Sequence, residues 1–117
     1  MRKEAAKPRR NEIYMADLPV TTASVQYGRR PVLVLQNNTG NMYSSTTIIA
    51  PMTGRSKKSL PTHVRIGAKC GLSKSSILLC EQVMTVPTEL LETKLGEITD
   101  EVTLERIAEA LKCSLDL

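Results

Sequence analysis

Short apolar bursts separated by polar, turn-forming stretches dominate the first three quarters of the chain. Ile13-Tyr14-Met15-Ala16-Asp17-Leu18 predicts a first strand that stops at Pro19. Residues 19–29 are rich in Thr, Ser and Gly and form a loop long enough to be suspected of function. Pro31-Val32-Leu33-Val34-Leu35-Gln36 is a continuous apolar, β-branched run, which predicts a strand buried on both faces. Asn37-Asn38-Thr39-Gly40-Asn41 is turn chemistry, because Asn and Gly tolerate positive φ. Thr46–Met52 predicts a third strand and residues 54–59 a polar, basic loop. Thr62-His63-Val64-Arg65-Ile66 alternates as an edge strand with one wet face does, and Ser76–Leu79 and Gln82–Val86 add two short strands.

Helical patterning comes late. Pro87-Thr88-Glu89-Leu90-Leu91-Glu92 carries a helix-start signal and predicts one or two turns. Thr99-Asp100-Glu101 sets a capping residue and carboxylates where a helix N-terminus favours them. Beyond it, Leu104, Ile107, Ala108, Leu111 and Leu115 trace an apolar stripe at helical spacing. About six short strands and a closing helix predict a mainly β fold, a small and strongly curved barrel with a C-terminal helix.

Residues 1–11 show no apolar periodicity and read as a flexible basic arm, leaving 12–117 as a single domain. At 117 residues and 41% hydrophobic content, the chain has material for one modest core. No apolar run reaches the roughly 18 residues that a bilayer requires, so no membrane partner is expected. The N-terminus is basic without the apolar centre of a secretory signal. Cys70, Cys80 and Cys113 are odd in number and widely spaced, which argues against a disulfide framework and for the cytoplasm.

The net charge of +4 conceals a strong asymmetry. Residues 1–10 carry five basic side chains against one acidic, and residues 11–80 eight against two. Residues 81–117 reverse this, with three basic and nine acidic. The basic part suits a polyanion or an acidic partner, although an acidic helix is also simply a solvated face.

Several chemistries are disfavoured. Paired metal-ligand spacings, phosphate-cradling glycine motifs and a Gly-x-Ser-x-Gly elbow are all missing from the sequence, so no cofactor is expected. His63 is the single histidine, which excludes a two-histidine acid–base pair within one chain. Tyr14, Tyr27 and Tyr43 are the only aromatic residues, too few for a wide stacking platform.

Five segments in order resemble the MazF/PemK family, the toxin ribonucleases of bacterial type II toxin–antitoxin modules. They are Ile13–Leu18, Gly28–Asn38 with Arg29-Arg30-Pro31 at its start, Gly40-Asn41 followed by Ser44–Thr53, Leu60–Val64, and Ile77–Val86 containing Glu81-Gln82. The resemblance runs from about residue 11 to the C-terminus. It implies an SH3-like barrel of the MazF/PemK/CcdB toxin type. It also implies a homodimer that cuts single-stranded RNA at short sequences without a metal, an mRNA interferase that halts translation and growth. Arg30 and Thr53 match the family's catalytic pair. Ser24, Gln26 and Gly28 in the first loop, with Glu81 and Gln82, match positions near the RNA. A cognate antitoxin with an acidic tail is the implied protein partner.

Lys57 and Lys58 add candidate phosphate contacts by charge alone. Strand alternation predicts that Arg29 faces away from Arg30. Outside the resemblance the residues read more plainly: Arg30 as a surface arginine, Thr53 as a strand-end hydroxyl, Glu81 as the partner of a lysine, His63 as structural. The chain departs from the family at Asn11-Glu12, Val25, Met84 and Leu79. The first three bear on base recognition. Leu79, where some relatives place a catalytic arginine, argues for the Arg30/Thr53 version of the chemistry. Two other functions suit such a barrel: a non-catalytic SH3-like module binding nucleic acid, and a toxin of related fold that binds DNA gyrase.

Overall fold

Strand β3, Thr46–Thr53, organises the molecule, because it pairs with three others. The computed structural model describes residues 7–21, 23–54 and 58–117. Before β3 come β1 (Glu12–Leu18), β2 (Gly28–Val34) and the short helix α1 (Asn38–Tyr43). After it come β4 (His63–Ile66), β5 (Ser76–Leu79), β6 (Met84–Pro87), β7 (Leu91–Glu97) and the closing helix α2 (Glu101–Leu115). The sheet order is β4-β5-β3-β2-β1-β7, antiparallel throughout, with β6 also on β3. One edge of β3 runs against β2. Its other edge is divided, with residues 46–49 on β6 and 52–53 on β5. Pro51, which has no N–H to give, falls in the gap between those two partners. That change of partner within one strand bends the sheet toward a barrel.

Both faces of β2 are buried, as its unbroken apolar run predicts. Leu33 joins a cluster with Ile13, Ala50, Met52, Val64, Ile66, Leu78 and the α2 residues Ile107 and Ala110. Val32 and Val34 point the other way, into a second cluster with Ala16, Leu18, Ile49, Val86 and Leu91. Burying a side chain of this size is worth roughly 1.5–3 kcal/mol, so the two clusters hold the strands in register.

Three expectations need correction. The helix predicted over 87–92 is a single 3-10 turn at Thr88–Leu90, followed by β7, an edge strand paired with β1 through two register shifts. The turn predicted at 37–41 is the start of α1, capped by the Asn37 side chain on the Gly40 N–H at 2.8 Å. On α2 the inward position is Ala110 rather than Ala108, and Leu115 is 55% exposed. The Asp100 cap stands as expected, accepting from the Thr103 N–H.

Of the arm expected over 1–11, residues 1–6 lie outside the described residues. Residues 9–11 are bonded to the barrel. The Arg9 N–H donates to Glu12, Arg10 reaches the Leu35 carbonyl and Asn38, and Asn11 donates to the Val34 carbonyl and accepts from Ile98.

Candidate active-site groove

The β1–β2 hairpin opens at one end into the loop after Leu18, and β2 begins again at Gly28 with φ +80°, a value only glycine adopts freely. Beneath that loop lies a groove of about 710 Å³. Ser24, Gln26 and Tyr27 line it from the loop, Arg30 from β2, Thr53 from the end of β3, and Lys74 from the segment before β5.

The arginine and the threonine meet at this groove. Val32 pairs with Pro51 at the end of the β2–β3 ladder, and beyond it the Arg30 side chain reaches the carbonyl of Met52, the residue before Thr53. The Arg30 guanidinium is oriented by neutral acceptors. Its Nε donates to the Tyr27 carbonyl at 2.8 Å and its Nη1 to the Met52 carbonyl at 3.2 Å. These two bonds fix the guanidinium at the groove, and an arginine stays protonated throughout the physiological pH range. Thr53 is 4% exposed and forms part of the groove floor.

Arg29 differs from its expected orientation in part. Its side chain is 63% exposed and pairs with Glu92 at 2.7 Å, yet it also borders the groove.

The other sequence candidates are distributed around this centre. Gln82 bonds the loop from outside, its Oε1 accepting from the Gln26 N–H at 2.8 Å and its Nε2 donating to the Ser24 carbonyl at 3.1 Å. Glu81 accepts from the Thr62 hydroxyl at 2.9 Å and pairs with His63 Nε2 at 3.0 Å, so its partners among the described residues are the first residue of β4 and the one before it. Burial pushes the Glu81 carboxyl up, but its backbone amide, Thr62 and His63 together outweigh that and hold it below the usual carboxylate range. The same His63 ring is almost wholly buried, with Nδ1 facing no polar partner. Lys58 is exposed and does not line the groove; Lys57 lies outside the described residues.

Two groove residues escaped the sequence reading. Lys74 folds across Gly54, its Cε lying 2.9 Å from where a Cβ there would stand, so glycine after Thr53 makes room for a second cation. Tyr27, 53% exposed, sets an aromatic face at the rim where a base can stack. The informative signals were the glycine following Thr53 and the isolated tyrosine in a polar loop. A second hollow of about 670 Å³ between β4 and α2 contains neither Arg30 nor Thr53.

The PemK-like, MazF-like toxins of type II toxin–antitoxin systems match residues 9–115. Endoribonuclease EndoA of Bacillus subtilis (strain 168) is 42% identical over 111 residues, covering 93% of this chain and 95% of that protein. Among solved structures, a mycobacterial endoribonuclease in complex with its cognate antitoxin superposes with a TM-score of 0.78 at 27% identity, over 94% of this chain and 96% of that one. MazF of Deinococcus radiodurans superposes at 0.81 with 22% identity, over 97% and 100%, a likeness of fold.

Proposed function

From the premise that this chain belongs to the PemK-like, MazF-like toxin family of type II toxin–antitoxin systems and is an endoribonuclease, we propose that it cuts single-stranded RNA in the groove holding Arg30 and Thr53. The observation that carries this reading is that both residues line one groove beneath the β1–β2 loop, with Arg30 bonded to the carbonyl next to Thr53.

RNA supplies its own nucleophile. The 2′-oxygen attacks phosphorus, the P–O5′ bond breaks, and the proton lost from O2′ is balanced by one arriving on O5′. The products are a 2′,3′-cyclic phosphate and a 5′-hydroxyl. Negative charge grows on the non-bridging oxygens along this path, and a pre-oriented guanidinium stabilises it. Arg30 is a charge clamp first, because a guanidinium holds its proton too tightly to match neutral pH for proton transfer. The Thr53 hydroxyl donates to a phosphate oxygen and fixes its position. Lys74 adds positive charge beside Gly54, and Tyr27 offers a stacking surface at the rim. In this scheme Arg30 supplies the charge a metal would bring elsewhere, and cleavage proceeds in the cytoplasm without one. The reading includes a homodimer and a cognate antitoxin whose acidic segment competes with RNA for the basic groove. It is supported by a relative solved with its antitoxin.

The test is digestion of a mixed-sequence transcript in excess EDTA, with the ends of the fragments identified. Cleavage with cyclic-phosphate and 5′-hydroxyl ends is expected. A requirement for Mg²⁺, or 5′-phosphate ends, would overturn the scheme.

A further inference from the structure

The loop joining β1 to β2 forms one wall of the groove without a ladder of its own. Its described residues between Leu18 and Gly28 belong to no strand or helix. Arg30 holds its last residue through the Tyr27 carbonyl. Gln82 holds the middle from 56 and 58 residues away, accepting from the Gln26 N–H and donating to the Ser24 carbonyl. A primary amide carries both a donor and an acceptor, so it offers this loop what a neighbouring strand residue would.

Gln82 itself is mounted on a well-bonded turn. Its own N–H donates to the Leu79 carbonyl at 3.0 Å, closing a turn directly after β5. Glu81 in that turn is bonded to Thr62 and His63, and the Cys80 N–H donates to the Thr62 carbonyl. A braced turn thus extends one side chain across to a loop that has no ladder of its own.

We propose that Gln82 is a positioning residue: its amide latches Ser24 and Gln26 and sets the groove wall against which the RNA beside the cut is seated. The inference rests on the groove being the cleavage site. A loop already ordered loses less freedom when RNA binds, so the latch acts on binding more than on the chemical step. It therefore raises KM when broken and leaves kcat largely intact.

Two substitutions separate this from direct base contact. Gln82→Met keeps length and bulk and loses both bonds. Gln82→Glu keeps an acceptor for the Gln26 N–H and cannot donate to the Ser24 carbonyl. The readouts are amide hydrogen exchange over residues 23–27 of the free protein, and steady-state cleavage of a labelled oligonucleotide spanning a cut mapped with the unsubstituted protein. For Gln82→Met, exchange at Gln26 should quicken about tenfold or more and KM should rise about tenfold, the scale of one or two lost hydrogen bonds, with kcat within about threefold. Gln82→Glu should retain most of the Gln26 protection. Unchanged exchange in the Met variant, whatever its KM, overturns the latch, as does a collapse of kcat at constant KM. Arg30→Ala is measured alongside. If it cuts normally, the groove is not the cleavage site. If it is inactive while Gln82→Met is silent, the latch alone is wrong.

Discussion

Arg29 and Arg30 carry the same charge one residue apart and meet different neighbours, a carboxylate for the first and two carbonyls for the second. Arg30→Ala should slow single-turnover cleavage by at least about a hundredfold, the scale of losing one transition-state donor. Thr53→Ala should cost less, and Arg29→Ala least, because Glu92 already compensates its charge. Lys74→Gln, in the same series, should weaken binding and lower the salt dependence of affinity by about 0.7 in log–log slope, as for one phosphate contact on a single strand. Equal small losses for Arg29→Ala and Arg30→Ala would show that neither is catalytic. That Arg30 and Thr53 belong together was legible only through the family resemblance, which rests on five segments recurring in order. The places of Tyr27 and Lys74 were not, because each depends on how a loop folds over a strand end. Away from the groove, Glu12 is 7% exposed and bonded to Lys94, the Arg9 N–H and Tyr14. Burial raises its pKa, but those partners win and hold it below its ordinary 4.5. The unfolded chain then binds the proton more tightly, so Glu12 contributes stability above about pH 4.5 that is lost as pH falls through the depressed value. Urea melts from pH 6 to 3 should show that decline, and Glu12→Gln should flatten it.

At the scale of elements, the segment from 87 to 97 shows how local preference yields to pairing. Glu, Lys and Gly are poor strand formers, and Pro-Thr-Glu at 87–89 is a good helix start. What makes Leu91–Glu97 a strand is the open edge of β1, which no local window reveals. α1 was hidden for the opposite reason, since its Asn- and Gly-rich sequence has little helical tendency. Buried Asn41 holds it from within, donating to the Gln36 carbonyl and accepting from the Thr47 hydroxyl and the Gln36 amide. The β2, β3 and α2 patterns were legible because burial there matches periodicity directly. β7 also docks on the turn after β4 through two glycines: a Cβ on Gly96 would overlap the Cys70 carbonyl, and one on Gly71 the Leu95 carbonyl. Gly96→Ala should therefore destabilise the fold by about 1–3 kcal/mol, the usual range for overpacking, read from denaturant midpoints at constant m-value. A midpoint equal to that of the unsubstituted protein would contradict this docking.

The molecule as a whole combines a small core with conspicuous outer apolar surface. Val20 is 76% exposed, Tyr43 83% and Met42 55%. Single exposed residues are ordinary, but a domain of this size buries a limited fraction of its chain and gains stability by pairing. A two-fold dimer is the expected state, and light scattering at micromolar concentration should report twice the 12.9 kDa chain mass. A monomer at that concentration would count against the dimer. The charge asymmetry belongs to this scale as well. Of the basic residues up to 80, Arg29, Arg30 and Lys74 line the groove, while α2 and the segment before it hold most of the acids, a charge division visible in the sequence before any fold was assigned.

The β1–β2 hairpin also acts as a ruler. The groove lies at its looped end, by Leu18 and Gly28, whereas Arg9 and Arg10 are tied down at its open end, by Glu12 and the Leu35 carbonyl. A strand of this length spans about 20 Å at roughly 3.4 Å per residue. That is about two screening lengths in physiological salt, so on the proposed site these two arginines would exert almost no pull on a phosphate in the groove. On that reading they would meet only an RNA that continues along the hairpin beyond the groove. A substrate of a few nucleotides and a full transcript therefore sample different footprints, and preference for the longer one measures the far end of the hairpin.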